Sequence, residues 1–60
     1  MTTPWTPYKE YGCYYRLINN VLFYAPMLKG GDIERESAAE VETDEIDTTA
    51  IIKDLKYQYE

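Results

Sequence analysis

Apolar and aromatic residues dominate the stretch from residue 8 to residue 27, where they form two runs separated by Asn19-Asn20. Tyr, Val, Ile, Leu and Phe favour strands, and Asn tolerates the positive φ of a two-residue hairpin turn. The pattern therefore predicts a β-hairpin over residues 8–27. The turn also sets the register of the hairpin: Ile18 faces Val21, Leu17 faces Leu22, Arg16 faces Phe23, and Tyr15 faces Tyr24.

Both faces of this hairpin are apolar, because side chains alternate along a strand. One face holds Tyr14, Arg16, Ile18, Val21, Phe23 and Ala25, and the other holds Cys13, Tyr15, Leu17, Leu22 and Tyr24. A two-stranded sheet in water normally has one polar face, so both faces are expected to be covered. The C-terminal segment can cover one face. The N-terminal arm, a second copy or a partner would cover the other.

The remaining segments carry weaker signals. Residues 1–7 are predicted to be irregular, since Pro4 and Pro7 block a helix and push their neighbours toward extended conformations. Residues 39–43 alternate like a short edge strand, although a capping box beginning at Ser37 would instead start a helix at Ala38. A helix is predicted over residues 48–58, with the tail after Leu55 open to an extended alternative. Its apolar stripe consists of Thr48, Ile51, Ile52, Leu55 and Tyr59.

These elements predict an α+β fold: one small domain over residues 1–60, with an antiparallel hairpin, an optional third strand and one C-terminal helix. A chain of 60 residues buries only about 60% of its unfolded surface, so small domains often depend on disulfides, metals or association. Cys13 is the single cysteine and histidine is absent, which leaves self-association, a partner or a well-packed aromatic core. Of these we expect a homo-oligomer or an obligate complex. Its self-association surface would consist of Tyr14, Ile18, Val21 and Phe23.

Charge divides the chain into two halves. Residues 1–30 hold three basic residues and one acid, a sum of +2, whereas residues 31–60 hold three basic residues and ten acids, a sum of −7. Half of the acidic segment at residues 32–47 consists of Asp or Glu. Such a field attracts basic proteins and repels nucleic acid. The predicted partner-binding residues are Glu40, Glu42, Asp44, Glu45 and Asp47. The plain alternative is a solvated, solubilising surface.

Catalytic and metal chemistry find little support in the sequence. No histidine can serve as a base for Cys13 or Ser37, and so short a chain seldom forms the cleft that tunes paired carboxylates. We therefore expect no enzyme activity and no cofactor. We also expect no dedicated metal site, because the EF-hand pattern is absent. No apolar run is long enough to cross a membrane. The lone cysteine and the absence of a signal peptide predict a cytoplasmic protein, in the host cytoplasm if the chain is viral.

The expected function is protein binding without catalysis. Small phage inhibitors and nucleic-acid mimics share this acidic character, a likeness of composition that no motif carries. We expect an inhibitor or modulator, of phage or mobile-element type, whose acidic face engages a basic protein such as one that handles nucleic acid. One alternative is a structural or accessory subunit of a larger assembly. A second is a binder of single-stranded nucleic acid that uses exposed tyrosines.

Overall fold

A computed structural model describes the backbone of residues 1–42 and 46–60 and the side chains of residues 1–42 and 48–60. Its regular elements are β1 (Thr6–Tyr8), β2 (Cys13–Ile18), β3 (Val21–Pro26), β4 (Ala39–Glu40) and α1 (Ile46–Tyr59). The strands form one antiparallel sheet in the order β1-β2-β3-β4. The predicted α+β fold, a small domain with a C-terminal helix, is confirmed.

The central hairpin of β2 and β3 has the predicted register. Ile18 pairs with Val21, Leu17 with Leu22, Arg16 with Phe23, and Tyr15 with Tyr24. Asn19 and Asn20 both have positive φ, 50° and 69°, as a two-residue primed turn requires. The strands are shorter than the predicted range of residues 8–27, because Lys9–Tyr11 form a 3₁₀ helix before β2 begins. Gly12 closes this helix in the left-handed region, with φ of 66°.

The prediction that residues 1–7 are irregular is wrong for Thr6 and Pro7, which belong to β1. This strand pairs with β2 at the outer edge of the sheet, where the missing N–H of Pro7 breaks no ladder. The chain before β1 also follows β2, and Thr2 bridges to Ile18. Thr6 pairs with Tyr15 and Thr2 bridges to Ile18, so residues 2–6 lie opposite residues 15–18 of β2. The N-terminal segment therefore contains one extra residue. This is the pattern of a β-bulge.

The segment near residue 40 forms an edge strand, as the alternating pattern favoured. β4 pairs with β3, and Glu40 lies opposite Phe23. The capping-box alternative is wrong, since Ala38 is extended, with φ of −65° and ψ of 140°, and follows a 3₁₀ helix at Arg35–Ser37. Residue 43 of the predicted strand lies outside the described residues.

Helix α1 packs on the face of the sheet that carries Leu17 and Leu22. These two leucines form the buried core with Ile51 and Leu55 of α1. Around this core lie the partly buried side chains of Tyr8, Tyr15, Val41 and Ile52. The apolar stripe therefore identified the buried side of α1, although Tyr59 at its end stays 41% exposed. The helix continues to Tyr59, so the extended alternative for the tail is wrong.

The face of the sheet turned away from α1 is here called the second face. It carries Trp5, Tyr14, Arg16, Ile18, Val21, Phe23 and Ala25, by strand alternation and the contact of Trp5 with Arg16. Of these residues only Ala25 is fully buried, and the others are half-buried. The loop after β3 reaches one end, where the Tyr14 hydroxyl donates a hydrogen bond to the Gly31 carbonyl. The chain's own loop is thus a partial cover, which the sequence did not predict.

Candidate protein-binding site

The structure describes the side chains of some of the predicted partner-binding residues and not of the others. Glu40 lies in β4 and Glu42 two residues beyond it, and both side chains are exposed. Val41, between them, donates its N–H to the Leu22 carbonyl over 2.9 Å and packs its side chain against the core. The two carboxylates therefore flank an anchored residue. Asp44, Glu45 and the side chain of Asp47 lie outside the described residues.

Glu40 also exposes backbone groups at the edge of the sheet. In an antiparallel pair, hydrogen-bonded and non-hydrogen-bonded positions alternate. Because Val41 donates to Leu22, Glu40 and Phe23 occupy a non-hydrogen-bonded pair. The N–H and C=O of Glu40 therefore point away from β3, toward the solvent. At two residues, β4 is short, which limits unwanted edge-to-edge pairing.

The predicted self-association residues all lie on the second face. Ile18 and Val21 are directly opposed beside the hairpin turn. Phe23 opposes Arg16, which lies between Ile18 and Tyr14 along β2. Tyr14 opposes Ala25 at the far end, where its hydroxyl donates to the Gly31 carbonyl. The four residues therefore follow the hairpin from its turn to the loop that contains Gly31.

The sequence did not predict that Trp5 lies on the second face beside Arg16. The Arg16 guanidinium carbon lies 5.2 Å from the centroid of the Trp5 ring, a cation–π geometry. A row of side chains then crosses the sheet from edge to edge, from Trp5 through Arg16 and Phe23 to Glu40. The Nε atom of Arg16 is buried and has no hydrogen-bond partner among the described residues. The hairpin register gave Arg16 and Phe23, but the position of Trp5 depends on the pairing of β1 with β2, which the sequence did not predict.

A separate cleft lies between the N-terminal part of the chain and α1. Its volume is about 240 Å³, and its lining residues are Tyr8, Glu10, Tyr11, Ala50, Ile51 and Asp54. The Tyr8 hydroxyl donates a hydrogen bond of 2.5 Å to Asp54 Oδ2. Burial, together with the hydrogen bond and negative charge of Asp54, raises the pKa of Tyr8 well above its ordinary value. No signal in the sequence brings Tyr8 to Asp54, because this contact joins β1 to the distant helix.

Residues 1–42 and 46–60 can also be compared with what a reactive thiol, a metal site or a membrane-spanning helix requires. Cys13 is a free, half-buried thiol, more accessible than the buried thiol typical of a strand. Within the described residues, no group of three or more His, Cys, Asp or Glu is arranged to hold a metal ion. None of the described helices has the length and apolarity needed to cross a membrane.

Comparison with known proteins adds no functional information. No protein-family model, curated protein sequence or solved structure matches the chain. The function of the protein is therefore inferred from the geometry and charge of the surfaces described above.

Proposed function

We propose that this protein is a non-catalytic binding module, an inhibitor or modulator of phage or mobile-element type, that engages a basic protein through its acidic edge. The acidic edge is defined as Glu36, Glu40 and Glu42. The observation that carries the proposal is their position: all three side chains are exposed, on or beside the strand that forms the free edge of the sheet. The chain's net charge of −5 strengthens attraction to a basic partner.

The acidic edge adjoins an apolar surface that a partner can also contact. Glu40 opposes Phe23 in the sheet, and Phe23 is half-buried on the second face. Protein interfaces commonly combine an apolar centre with a polar or charged rim. The carboxylates would steer a basic partner and set its orientation, while apolar contact would slow dissociation. Basic proteins that handle nucleic acid belong to this partner class.

Charge reversal at the acidic edge should strongly weaken partner binding. The test variant is Glu40→Lys/Glu42→Lys, measured by calorimetry against a partner first identified by affinity capture and mass spectrometry. We expect roughly 100-fold weaker affinity, because like charges at an interface cost several kcal/mol. Added salt should weaken wild-type binding in the same direction.

The matched control is Asp32→Lys/Glu60→Lys, which changes the net charge equally at two exposed positions away from β4. It should retain most of the affinity. Circular dichroism must show that both double variants keep the fold. Wild-type affinity in the Glu40/Glu42 variant would show that the acidic edge is only a solubilising surface. Equal losses of affinity in both variants would show that binding depends on the net charge of the protein and not on the acidic edge.

A second candidate function, a subunit that associates with its own kind or within a larger assembly, is favoured by the second face. Trp5, Ile18, Val21 and Phe23 are half-buried there, while α1 covers the opposite face.

Sedimentation velocity over a range of concentrations checks this second candidate. We expect a reversible dimer at micromolar or higher concentration, since one face of so small a sheet gives an interface at the low end of the usual size range. Val21→Lys should shift the protein to monomer by placing a charge in the contact. Tyr57→Lys is the control, because Tyr57 is 89% exposed on α1, which covers the other face. A monomer at every concentration would contradict self-association.

A further inference from the structure

We propose that the cleft between the N-terminal segment and α1 binds one cationic side chain, a lysine or an arginine, of a protein partner. The charged end would lie against Asp54 and Glu10, and the aliphatic stem would lie along Tyr11 and Ala50. This site deepens the proposed function, and the choice of a protein-borne cation rests on that function. The cleft contains residues of β1 and α1, whereas the acidic edge lies at β4, across the sheet.

The size of the cleft suits a single side chain. Its volume of about 240 Å³ is below the roughly 300–1,000 Å³ typical of sites for drug-sized ligands. Ala50 and Ile51 provide an apolar wall from α1, and the ring of Tyr11 faces the solvent at 41% exposure. Methylene groups of a long basic side chain can pack on such walls while the charged end remains polar.

Among the described residues, the lining carries negative charge and no cation. Its charged residues within that part of the chain are Glu10 and Asp54. Lys9 and Lys53 directly precede them in the chain but are not part of the lining. Successive residues of a helix point in different directions, so Lys53 does not fill the position beside Asp54. An incoming ammonium or guanidinium group would therefore find two carboxylates without a cation of the chain between them.

The carboxylate of Asp54 is held in a fixed orientation. Tyr8 donates to its Oδ2 over 2.5 Å, and the side chain of Gln58 donates to the same oxygen over 2.8 Å. Neither of these bonds uses Oδ1, which can accept from a ligand. Tyr8 stays protonated because its pKa is raised, so it remains a hydrogen-bond donor to Asp54. A preoriented carboxylate loses little side-chain entropy when a cation binds.

The aromatic rings add a second attraction for a cation. The Tyr8 and Tyr11 rings lie 6.4 Å apart at an interplanar angle of 36°. Both pack edge-on against Tyr15, at 5.5 Å and 6.3 Å, which restricts their movement. Tyrosine faces attract ammonium and guanidinium groups through the ring quadrupole. Two rings beside two carboxylates thus select for charge, whereas a neutral side chain of equal length gains only the apolar contact.

The direct test is a titration of the isotope-labelled full chain followed by NMR. The probes are N-acetyl-lysine methylamide, N-acetyl-arginine methylamide and, as the neutral control of similar length, N-acetyl-norleucine methylamide. We expect the two cationic probes to shift the amide signals of Tyr11, Ala50 and Asp54, with dissociation constants in the millimolar range. The neutral probe should bind roughly tenfold more weakly. Equal response to the neutral probe, or no response to any probe, would overturn the proposal.

Matched variants separate the cleft from general electrostatic attraction. Asp54→Asn should weaken binding of the lysine probe roughly fivefold or more, whereas Asp32→Asn, with the same charge change at an exposed position away from the cleft, should not. Glu10→Gln serves as a second variant, because Glu10 is exposed and lies outside the core on which α1 packs. Equal effects of the Asp32 and cleft variants would refute a specific site. The Glu40→Lys/Glu42→Lys variant should still bind the probe, so failure of the acidic edge and failure of the cleft are distinguishable.

Discussion

Leu55→Ala is expected to lower the free energy of unfolding by about 2–5 kcal/mol, the usual cost of truncating a buried leucine. Leu55 is 0% exposed and belongs, within the described part of the chain, to a cluster of buried apolar residues with Leu17, Leu22 and Ile51. A domain of 60 residues has a total stability of about 3–9 kcal/mol at typical values per residue. The substitution should therefore leave much of the protein unfolded in water.

Urea denaturation followed by circular dichroism measures this loss. Tyr57→Ala provides the control on the same helix, because Tyr57 is 89% exposed. Its effect should stay within about 0.5 kcal/mol, as for most surface substitutions. A loss below about 1 kcal/mol for Leu55→Ala would contradict the packing of α1 on the sheet, since no buried leucine would then be truncated.

Local signals were sufficient for the central hairpin and the helix. Asn19 and Asn20 favour the primed turn, and that turn fixes the pairing of Ile18 with Val21 and of every residue pair beyond it. The spacing of Ile51 and Leu55 identified the buried side of α1, because helical periodicity is visible within a short window. The fold class follows from these two elements.

Elements that depend on distant contacts could not be predicted in the same way. β1 contains Pro7 and is three residues long, so propensity argues against it, and its stability comes from pairing with β2. The cleft depends on the bond between Tyr8 and Asp54, which are far apart in sequence. Of the predicted acidic surface, the exposure of Glu40 and Glu42 follows from their charge at a sheet edge, where burial would be costly.

Thr3→Val is expected to destabilise the protein by about 1–3 kcal/mol, the cost of leaving one buried donor unsatisfied. Thr3 is 1% exposed, and its hydroxyl oxygen accepts a hydrogen bond of 2.9 Å from the N–H of Leu17. The Thr3 N–H donates to the Leu17 carbonyl at the same distance. The bulge before β1 removes the backbone acceptor that regular pairing would supply, and the threonine side chain takes its place. Valine keeps the shape of threonine but lacks the oxygen.

Two controls and two measurements isolate this bond. Thr3→Ser keeps the hydroxyl and should retain most of the stability that Thr3→Val loses, although the missing methyl group has its own cost. Thr2→Val changes the exposed neighbour in the same way and should have an effect within about 0.5 kcal/mol. Hydrogen exchange of the Leu17 amide should accelerate in Thr3→Val more than exchange of the Val41 amide, because Val41 keeps its bond to the Leu22 carbonyl while Leu17 loses its acceptor. Unchanged exchange at Leu17 together with unchanged stability would show that the Thr3 hydroxyl contributes no hydrogen bond to the Leu17 amide.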